Sequence, residues 1–205
     1  MSQHFFVSGI GTNVGKTIST AILCRALKKD YWKPVQAGDL HHSDSIRVKN
    51  IIGNDLNVFP EQYRLNAPMS PHAAAEIDHV SISLSDFQLP HSKNGMLVEG
   101  AGGLMVPLNR KGDFMVDLAA QLQLPIILVA NYYLGSINHT LLSLELLKNR
   151  NQYPVLLVLN GTANPESRSL ILSRVGSLPV VEIPEFQEED PEELRRFADQ
   201  LQIAF

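Results

Sequence analysis

Short runs of apolar residues, each bounded by turn residues, recur along the chain and predict buried β-strands. Few polar residues interrupt them, which is typical of strands covered on both faces of a sheet. The five runs are FFVSG at 5–9, MLVEG at 96–100, PIILVAN at 125–131, PVLLVLN at 154–160 and PVVEIP at 179–184.

Segments with the apolar spacing of amphipathic helices alternate with these runs. They cover residues 17–29, 114–122, 137–149 and 191–201. Strand followed by helix, repeated, predicts an α/β fold with a mostly parallel central sheet and helices on both faces. We expect one domain spanning 1–205, with its ligand site beyond the carboxyl ends of the strands. The segment 54–93 shows no clear pattern, and its arrangement is left open.

Composition narrows the range of partners. The chain has 205 residues and a net charge of −4, from 17 basic and 21 acidic residues that are interspersed. Such a distribution offers no basic surface for nucleic acid. The N-terminus lacks a basic segment followed by an apolar one, and no run approaches the roughly 18 apolar residues that span a bilayer. We therefore expect a soluble cytoplasmic protein with neither a nucleic-acid nor a membrane partner.

The first predicted strand leads directly into a glycine-rich loop, GIGTNVGKT at 9–17, and a helical pattern follows at once. Glycines allow backbone N–H groups to point at phosphate oxygens, and the helix N-terminus adds its positive end. Lys16 would supply a charge for the β and γ phosphates, and Thr17 a hydroxyl ligand for Mg²⁺. The loop is a variant, because Ile10 holds a position that the strict pattern gives to glycine. It predicts a P-loop NTPase-like fold that binds a nucleoside triphosphate, such as ATP, with Mg²⁺.

Charged residues elsewhere could meet the same phosphates. Lys33 precedes Pro34 where the chain would emerge at the active edge of the sheet, although it could be an ordinary surface lysine. Asp44 lies in a polar loop before a helical stretch, where it or Ser43 could equally be a helix N-cap. Glu99 ends an apolar strand and must be paired or coordinated. It could be a metal ligand, a water holder or a buried glutamate bonded to turn amides.

Three further polar positions have less specific signals. Asn160 ends the last long strand and could read a base edge or cap a turn. His72 follows Ser70 in a loop and could be a hydrogen-bonded turn residue. The helix start at 135–139 has free N–H groups that suit a carboxylate, although most such starts bind water or their own cap. The histidines and the single Cys24 show no zinc-like spacing, so no transition metal is predicted.

Taken together, these segments resemble the dethiobiotin synthetases. These are ATP-dependent enzymes of biotin synthesis that close a cyclic urea on 7,8-diaminopelargonic acid with carbon dioxide. The resemblance covers nearly the whole chain and depends on the order and spacing of several motifs. The motifs are GIGTNVGKT at 9–17, KPVQAG at 33–38, SDS at 43–45, SPH at 70–72, VEGAGG at 98–103, LGSINH at 134–139 and LNG at 159–161.

The resemblance implies a role for each matching residue of this chain. The implied catalytic residues are Thr12, Lys16 and Lys33. The implied Mg²⁺ ligands, all oxygen donors, are Thr17, Asp44 and Glu99. The implied nucleotide contacts are Gly11, Thr12, Asn13, Val14, Gly15, Lys16, Thr17, Asp44, Glu99, Asn160, Pro184 and Glu185. The implied substrate contacts are Lys33, Ala37, Gly135, Ser136, Ile137 and Asn138.

In the family the last four substrate contacts come from a partner subunit, so the resemblance implies a homodimer with its substrate site at the subunit interface. The chain departs from the family pattern at three positions. Asn13 stands where an acidic residue is common, Gly11 where aspartate is common, and Ala37 replaces a small hydroxyl residue.

The implied reaction has three steps. The diamine captures CO₂ as a carbamate, ATP phosphorylates the carbamate, and the second amine closes the ring to give dethiobiotin, ADP and phosphate. Two rival classes are nucleotide-dependent switches or partitioning ATPases, and small-molecule kinases. A partitioning loop usually carries an early lysine where this chain has Ile10 and Gly11, and a kinase would need an arginine-rich lid.

Overall fold

A seven-stranded sheet forms the centre of the computed structural model, which describes residues 3–186 and 190–204. Every neighbouring pair of its strands is parallel. The strands found in the described residues are β1 (Phe5–Gly9), β2 (Asp30–Trp32), β3 (Val35–Ala37), β4 (Val58–Phe59), β5 (Tyr63–Leu65), β6 (Met96–Gly103), β7 (Ile126–Asn131), β8 (Pro154–Asn160) and β9 (Val180–Ile183). The order in the large sheet is β4-β2-β6-β1-β7-β8-β9, and β3 pairs with β5 in a separate small sheet.

Helices cover both faces of the large sheet. They are α1 (Lys16–Leu27), α2 (Asp44–Ile52), α3 (Pro71–Ile77), α4 (Met115–Gln121), α5 (Ser136–Asn149), α6 (Pro165–Val175) and α7 (Pro191–Gln200). Alternate strand residues point to opposite faces, so Phe5 and Val7 pack with α1, α2 and α7, whereas Phe6 packs with α3 to α6. This architecture confirms the predicted α/β fold. Across the described ranges, no helix is both long and apolar enough to cross a membrane.

The predicted elements correspond to β1, β6, β7, β8 and β9 and to α1, α4, α5 and α7. The unassigned segment 54–93 contains β4, β5 and α3. The four strands β2 to β5 have only two or three residues each, too few to show a period along the sequence. Sequence reasoning also missed α6, in which Ile171 is the buried residue, because so narrow an apolar face gives a weak helical signal.

Because the strands of the large sheet run in parallel, their carboxyl ends meet at one edge. The loop after β1, Lys33 after β2 and Asn160 at the end of β8 all lie there. This is the edge at which open α/β sheets bind ligands.

Candidate functional site

The glycine-rich loop curls between the end of β1 and the first turn of α1. Gly15 has a φ of 81°, a left-handed conformation that suits glycine. A Cβ atom there would lie 1.7 Å from the Nδ2 atom of Asn160, so space as well as conformation requires glycine. The Asn160 amide donates a hydrogen bond of 2.9 Å to the carbonyl of Val14. The end of β8 therefore holds the loop in place.

Lys16 folds back across this loop, with its Nζ atom 2.9 Å from the carbonyl oxygen of Gly11. Burial lowers the pKa of Lys16 to about 8, assisted by the charge of Lys33 and opposed by the carboxylates of Glu99 and Asp44. An anion bound beside the ammonium group would favour its charged form. The side chain is thus suited to bind phosphate.

A buried lysine joins two carboxylates beside the loop. Trp32 of β2 pairs with Val98 of β6, which places the next residues, Lys33 and Glu99, side by side. The Lys33 Nζ atom lies 3.0 Å from Glu99 Oε1 and 2.5 Å from Asp44 Oδ2. Burial alone lowers the pKa of Lys33, but Glu99 and Asp44 outweigh it and raise that pKa. Lys33 is therefore a fixed cation at the sheet edge.

The three oxygen donors predicted for Mg²⁺ meet in this cluster. The Thr17 hydroxyl donates to Glu99 Oε1 over 3.1 Å and is also within hydrogen-bonding range of Asp44. Glu99 is fully buried, and its second oxygen accepts a hydrogen bond of 3.0 Å from the Tyr31 hydroxyl. The partners of its carboxylate are side chains and not turn amides. One hydroxyl and two carboxylates are a donor set that fits a hard divalent cation.

The Asp44 carboxylate is available to this cluster because another residue caps α2. The Ser43 hydroxyl accepts a hydrogen bond of 3.4 Å from the Ile46 amide, so Ser43 is the N-cap and Asp44 the first helical residue. Burial raises the pKa of Asp44, but Lys33 outweighs this effect and holds it below its usual value. Asp44 thus remains an anion against Lys33.

Sequence reasoning missed two residues that position the cluster. Gln36 bridges the two ends of the loop before α2: its amide donates to the Gly38 carbonyl over 2.9 Å and accepts from the Asp44 N–H over 3.2 Å. Tyr31 binds Glu99. Its signal was present in the sequence, because Tyr31 and Lys33 are two residues apart and so share one face of an extended strand.

A cavity of about 810 Å³ opens over the loop and the cluster. The predicted site residues that line it are Thr12, Asn13, Gly15, Lys16, Thr17, Lys33, Ala37, Asp44 and Glu99. Val14 is buried beneath the loop and is not among the lining residues. A second cavity, of about 420 Å³, lies beyond β8 and β9, where Gly161, Pro184 and Glu185 line it. Asn160 directly precedes Gly161, so the three predicted base contacts lie in this second region.

The four predicted contacts at 135–138 lie apart from both cavities. They form the start of α5, where Gly135 has a φ of 102° and Ser136 is buried. None of the four is among the residues that line either cavity. Leu134, just before them, is fully exposed. Within this one chain, the structure does not bring this segment to the phosphate loop.

Two solved structures have a fold similar to that of this chain. A Borrelia burgdorferi protein described as a plasmid partition protein, bound to AMPPNP, matches with a TM-score of 0.58 at 12% identity, over 99% of this chain and 92% of its own. The MinC:MinD cell division complex of Aquifex aeolicus matches with a TM-score of 0.51 at 16% identity, over 97% and 86%. At these identities the likeness concerns the fold alone.

Sequence comparisons are more specific. A family model described as an AAA domain matches residues 3–193. The ATP-dependent dethiobiotin synthetase BioD of Christiangramia forsetii is 47% identical over 88% of this chain and 86% of its own length. The enzymes of the same name from Cytophaga hutchinsonii and Brucella anthropi are 46% and 41% identical, over 85% and 96% of this chain and 84% and 92% of their own. This chain belongs to the family of ATP-dependent dethiobiotin synthetases.

Proposed function

We propose that this chain catalyses the ATP-dependent carboxylation and ring closure of 7,8-diaminopelargonic acid with CO₂. The products are dethiobiotin, ADP and phosphate. One observation carries the proposal: the phosphate loop and the cluster of Lys33, Asp44 and Glu99 line the same cavity. A phosphate chain on the loop and a second reactant beside Lys33 would therefore share one cavity.

The chemistry of this space is mainly electrostatic. Phosphoryl transfer spreads negative charge over the oxygens of the transferred group. Lys16 and Lys33 offer two ammonium groups, and the loop amides add further donors, which can offset that charge. Thr17, Asp44 and Glu99 would hold Mg²⁺, which when bound neutralises charge on the β and γ phosphates. The proposed substrate of phosphorylation is a carbamate, whose anion Lys33 would bind.

Ring closure depends more on how the second amine is positioned than on how strongly it is activated. Thr12 and Ala37 both line the cavity and would contact the diamine. A second amine held against the activated carbon reacts as if intramolecularly, which can lower the barrier by several kcal/mol. Ala37 lacks a side-chain donor, so polar contacts to the diamine would come from other residues of the cavity.

The nucleotide base would lie beyond β8. Asn160 holds the phosphate loop through Val14, and the next residue, Gly161, lines the 420 Å³ cavity. Pro184 and Glu185 line the same cavity. Asn160 would thus connect adenine in this cavity with phosphates bound at Lys16.

The position of the α5 start supports a homodimer. Its N–H groups and helix dipole suit the distant carboxylate of the diamine, yet residues 135–138 do not line the 810 Å³ cavity. We infer that a second copy brings this segment to the cavity across a two-fold interface. The fully exposed Leu134 would then be covered.

The test is direct product analysis. The purified protein is incubated with the diamine, bicarbonate, ATP and Mg²⁺, and dethiobiotin is measured by mass spectrometry beside ATP hydrolysis with and without each reactant. We expect dethiobiotin, and hydrolysis that depends on both the diamine and bicarbonate. Hydrolysis that needs neither would indicate a nucleotide switch, and phosphorylated product released without ring closure would indicate a kinase. Either result would overturn the proposal.

A further inference from the structure

A serine at the cavity wall has its hydroxyl directed at a histidine. Ser70 lines the 810 Å³ cavity and is the N-cap residue of α3, yet its side chain makes no cap hydrogen bond. Serine at this position ordinarily accepts from a backbone N–H of the first turn. Here its Oγ atom lies 2.9 Å from Nδ1 of His72, and the His72 backbone N–H donates to the carbonyl of Pro107 over 3.3 Å. The hydroxyl thus connects the cavity to an imidazole.

The proposed reaction needs a group that can accept a proton. The charged side chains that line the cavity are Lys16, Lys33, Asp39, Asp44, Arg47 and Glu99. Lys33 is paired with both Asp44 and Glu99, and the Arg47 guanidinium lies 3.7 Å from Asp44. On α3 itself, Glu76 lies one turn after His72 and pairs with Arg110.

These groups are cations, carboxylates engaged by cations or, for Asp39, an exposed carboxylate. A carboxylate is a weak base for an amine proton, whereas a neutral imidazole is suited to proton transfer near neutral pH. His72 is the imidazole that the hydroxyl of the cavity-lining residue Ser70 contacts. With phosphate bound beside Lys16 and favouring its charged form, His72 therefore offers a base that the charged groups do not.

We propose that Ser70 and His72 form a proton relay that accepts the proton released when a substrate amine captures CO₂. This inference depends on the proposed function. The lone pair of the amine nitrogen forms a C–N bond to CO₂, and one C=O electron pair moves to oxygen. The N–H proton passes to Ser70 Oγ as the serine proton passes to His72 Nδ1. A neutral amine, CO₂ and a neutral imidazole thus give a carbamate and an imidazolium, and His72 must begin as the tautomer protonated on Nε2.

The decisive variant is His72→Asn. Asparagine can place an oxygen near the position of Nδ1 and accept the serine hydrogen bond, but it cannot take up the proton. Carbamate formation is followed without ATP by mixing the enzyme–diamine complex with CO₂ and recording proton release with an indicator dye. In parallel, kcat/KM for CO₂ is measured in the complete reaction. We expect both rates to fall about 100-fold, the scale of general base catalysis.

Two further variants and a control sharpen the result. Ser70→Ala should slow both rates comparably, whereas Ser70→Thr, which keeps the hydroxyl, should restore most of the activity. His91→Asn alters an exposed histidine of a loop and should leave both rates unchanged. In every variant the melting temperature should be unchanged, and the affinity for AMPPNP should stay within about twofold of the wild-type value.

Three outcomes would overturn the relay. Wild-type rates in His72→Asn would mean that the histidine is only a hydrogen-bond acceptor. If His72→Asn were slow while Ser70→Ala kept full activity, the proton could not pass through the serine. Loss of AMPPNP binding together with the rates would indicate a structural effect. Failure of the wild-type protein to make dethiobiotin is a separate result, seen before any variant, and would overturn the proposed function instead.

Discussion

Two buried acids of the large sheet have opposite surroundings. Asp30 begins β2 at the amino edge. It accepts hydrogen bonds from the backbone and side chain of Asn57, at 2.9 and 3.3 Å, from Ser92 at 2.7 Å and from Asn94 at 3.0 Å. All four donors are neutral, and Asp30 lines neither of the two cavities. Burial raises the pKa of Asp30, but these donors outweigh it and hold that pKa below its usual value.

Glu99 lies within β6, just beyond the level at which β2 ends, and its partners include a cation. It is bound by Lys33, Thr17 and Tyr31, and it lines the 810 Å³ cavity. The neutral donors around Asp30 suit an acid that only joins segments of the chain. The cation, the second carboxylate and the cavity beside Glu99 suit an acid that meets a charged ligand. We therefore expect that the partners of a buried acid and its access to a cavity, rather than its burial, distinguish a structural role from a functional one.

The largest expected effect comes from removing the cation. Lys33→Ala should lower kcat for dethiobiotin formation by on the order of 10²–10³-fold, because it removes a preorganised positive charge that would stabilise the transferred phosphoryl group. Steady-state kinetics by mass spectrometry measure this effect. Lys93→Ala, at an exposed loop lysine, is the matched control. A loss of less than tenfold would contradict the assigned role.

At Asp30 the same kind of change should affect stability instead. Asp30→Asn replaces an acceptor with an amide whose N–H₂ group faces donors, and should lower the free energy of unfolding by about 1–3 kcal/mol. Urea denaturation measures the loss, and Asp55→Asn, at an exposed aspartate, should be nearly neutral. The folded fraction should keep its kcat. A large loss of kcat per folded molecule would remove the contrast between the two acids.

A smaller effect should follow where β8 holds the phosphate loop. Asn160→Ala removes the hydrogen bond to Val14, worth about 0.5–1.5 kcal/mol, so AMPPNP should bind about 2- to 10-fold more weakly. Isothermal titration calorimetry measures the affinity, with the exposed Asn54→Ala as control. Unchanged affinity would show that the loop keeps its geometry without this contact.

The smallest effect concerns acid conditions. The folded pKa of Asp30 is depressed below its usual 3.8, so its stabilisation is complete above that pH and is lost as pH falls through the folded value. The stability difference between wild type and Asp30→Asn should stay constant from neutral pH to about 4 and then shrink, by less than about 1 kcal/mol near pH 3. Urea unfolding along this series is the measurement. A difference that stays constant to pH 3 would show that the depression is absent.

Local patterns made much of the site predictable. The strand, glycine loop and helix that form the phosphate loop are contiguous, so their sequence carries nearly all the information. Glu99 was recognisable because a carboxylate follows an apolar run. The prediction that it ends the strand was wrong, since β6 continues to Gly103 through small residues that give little strand signal. The meeting of Glu99 with Lys33 and Asp44 was expected from the resemblance and from the shared sheet edge, and the structure brings the three together. Their chemical roles remain predictions.

Other features depend on pairing between distant segments. The bridge from Gln36 to Asp44 is set by the shape of a loop, and no period or spacing indicates it. The strands β2 to β5 are stabilised by neighbours rather than by their own short patterns. The separation between the start of α5 and the cavity is likewise a property of the folded chain, since residues 135–138 follow a strand that does end at the active edge.

The position of β1 has a consequence for biosynthesis on the ribosome. Phe5 pairs with Leu97 and Phe6 with Ile126, so both neighbours of the first strand are made long after it. Such distant pairing slows folding, and the apolar segment at 5–7 must wait without its partners while the chain grows. The phosphate loop is completed later still, because Asn160 at the end of β8 holds it through Val14. Chaperone demand should therefore last until β7 has emerged, well past the midpoint of the 205-residue chain.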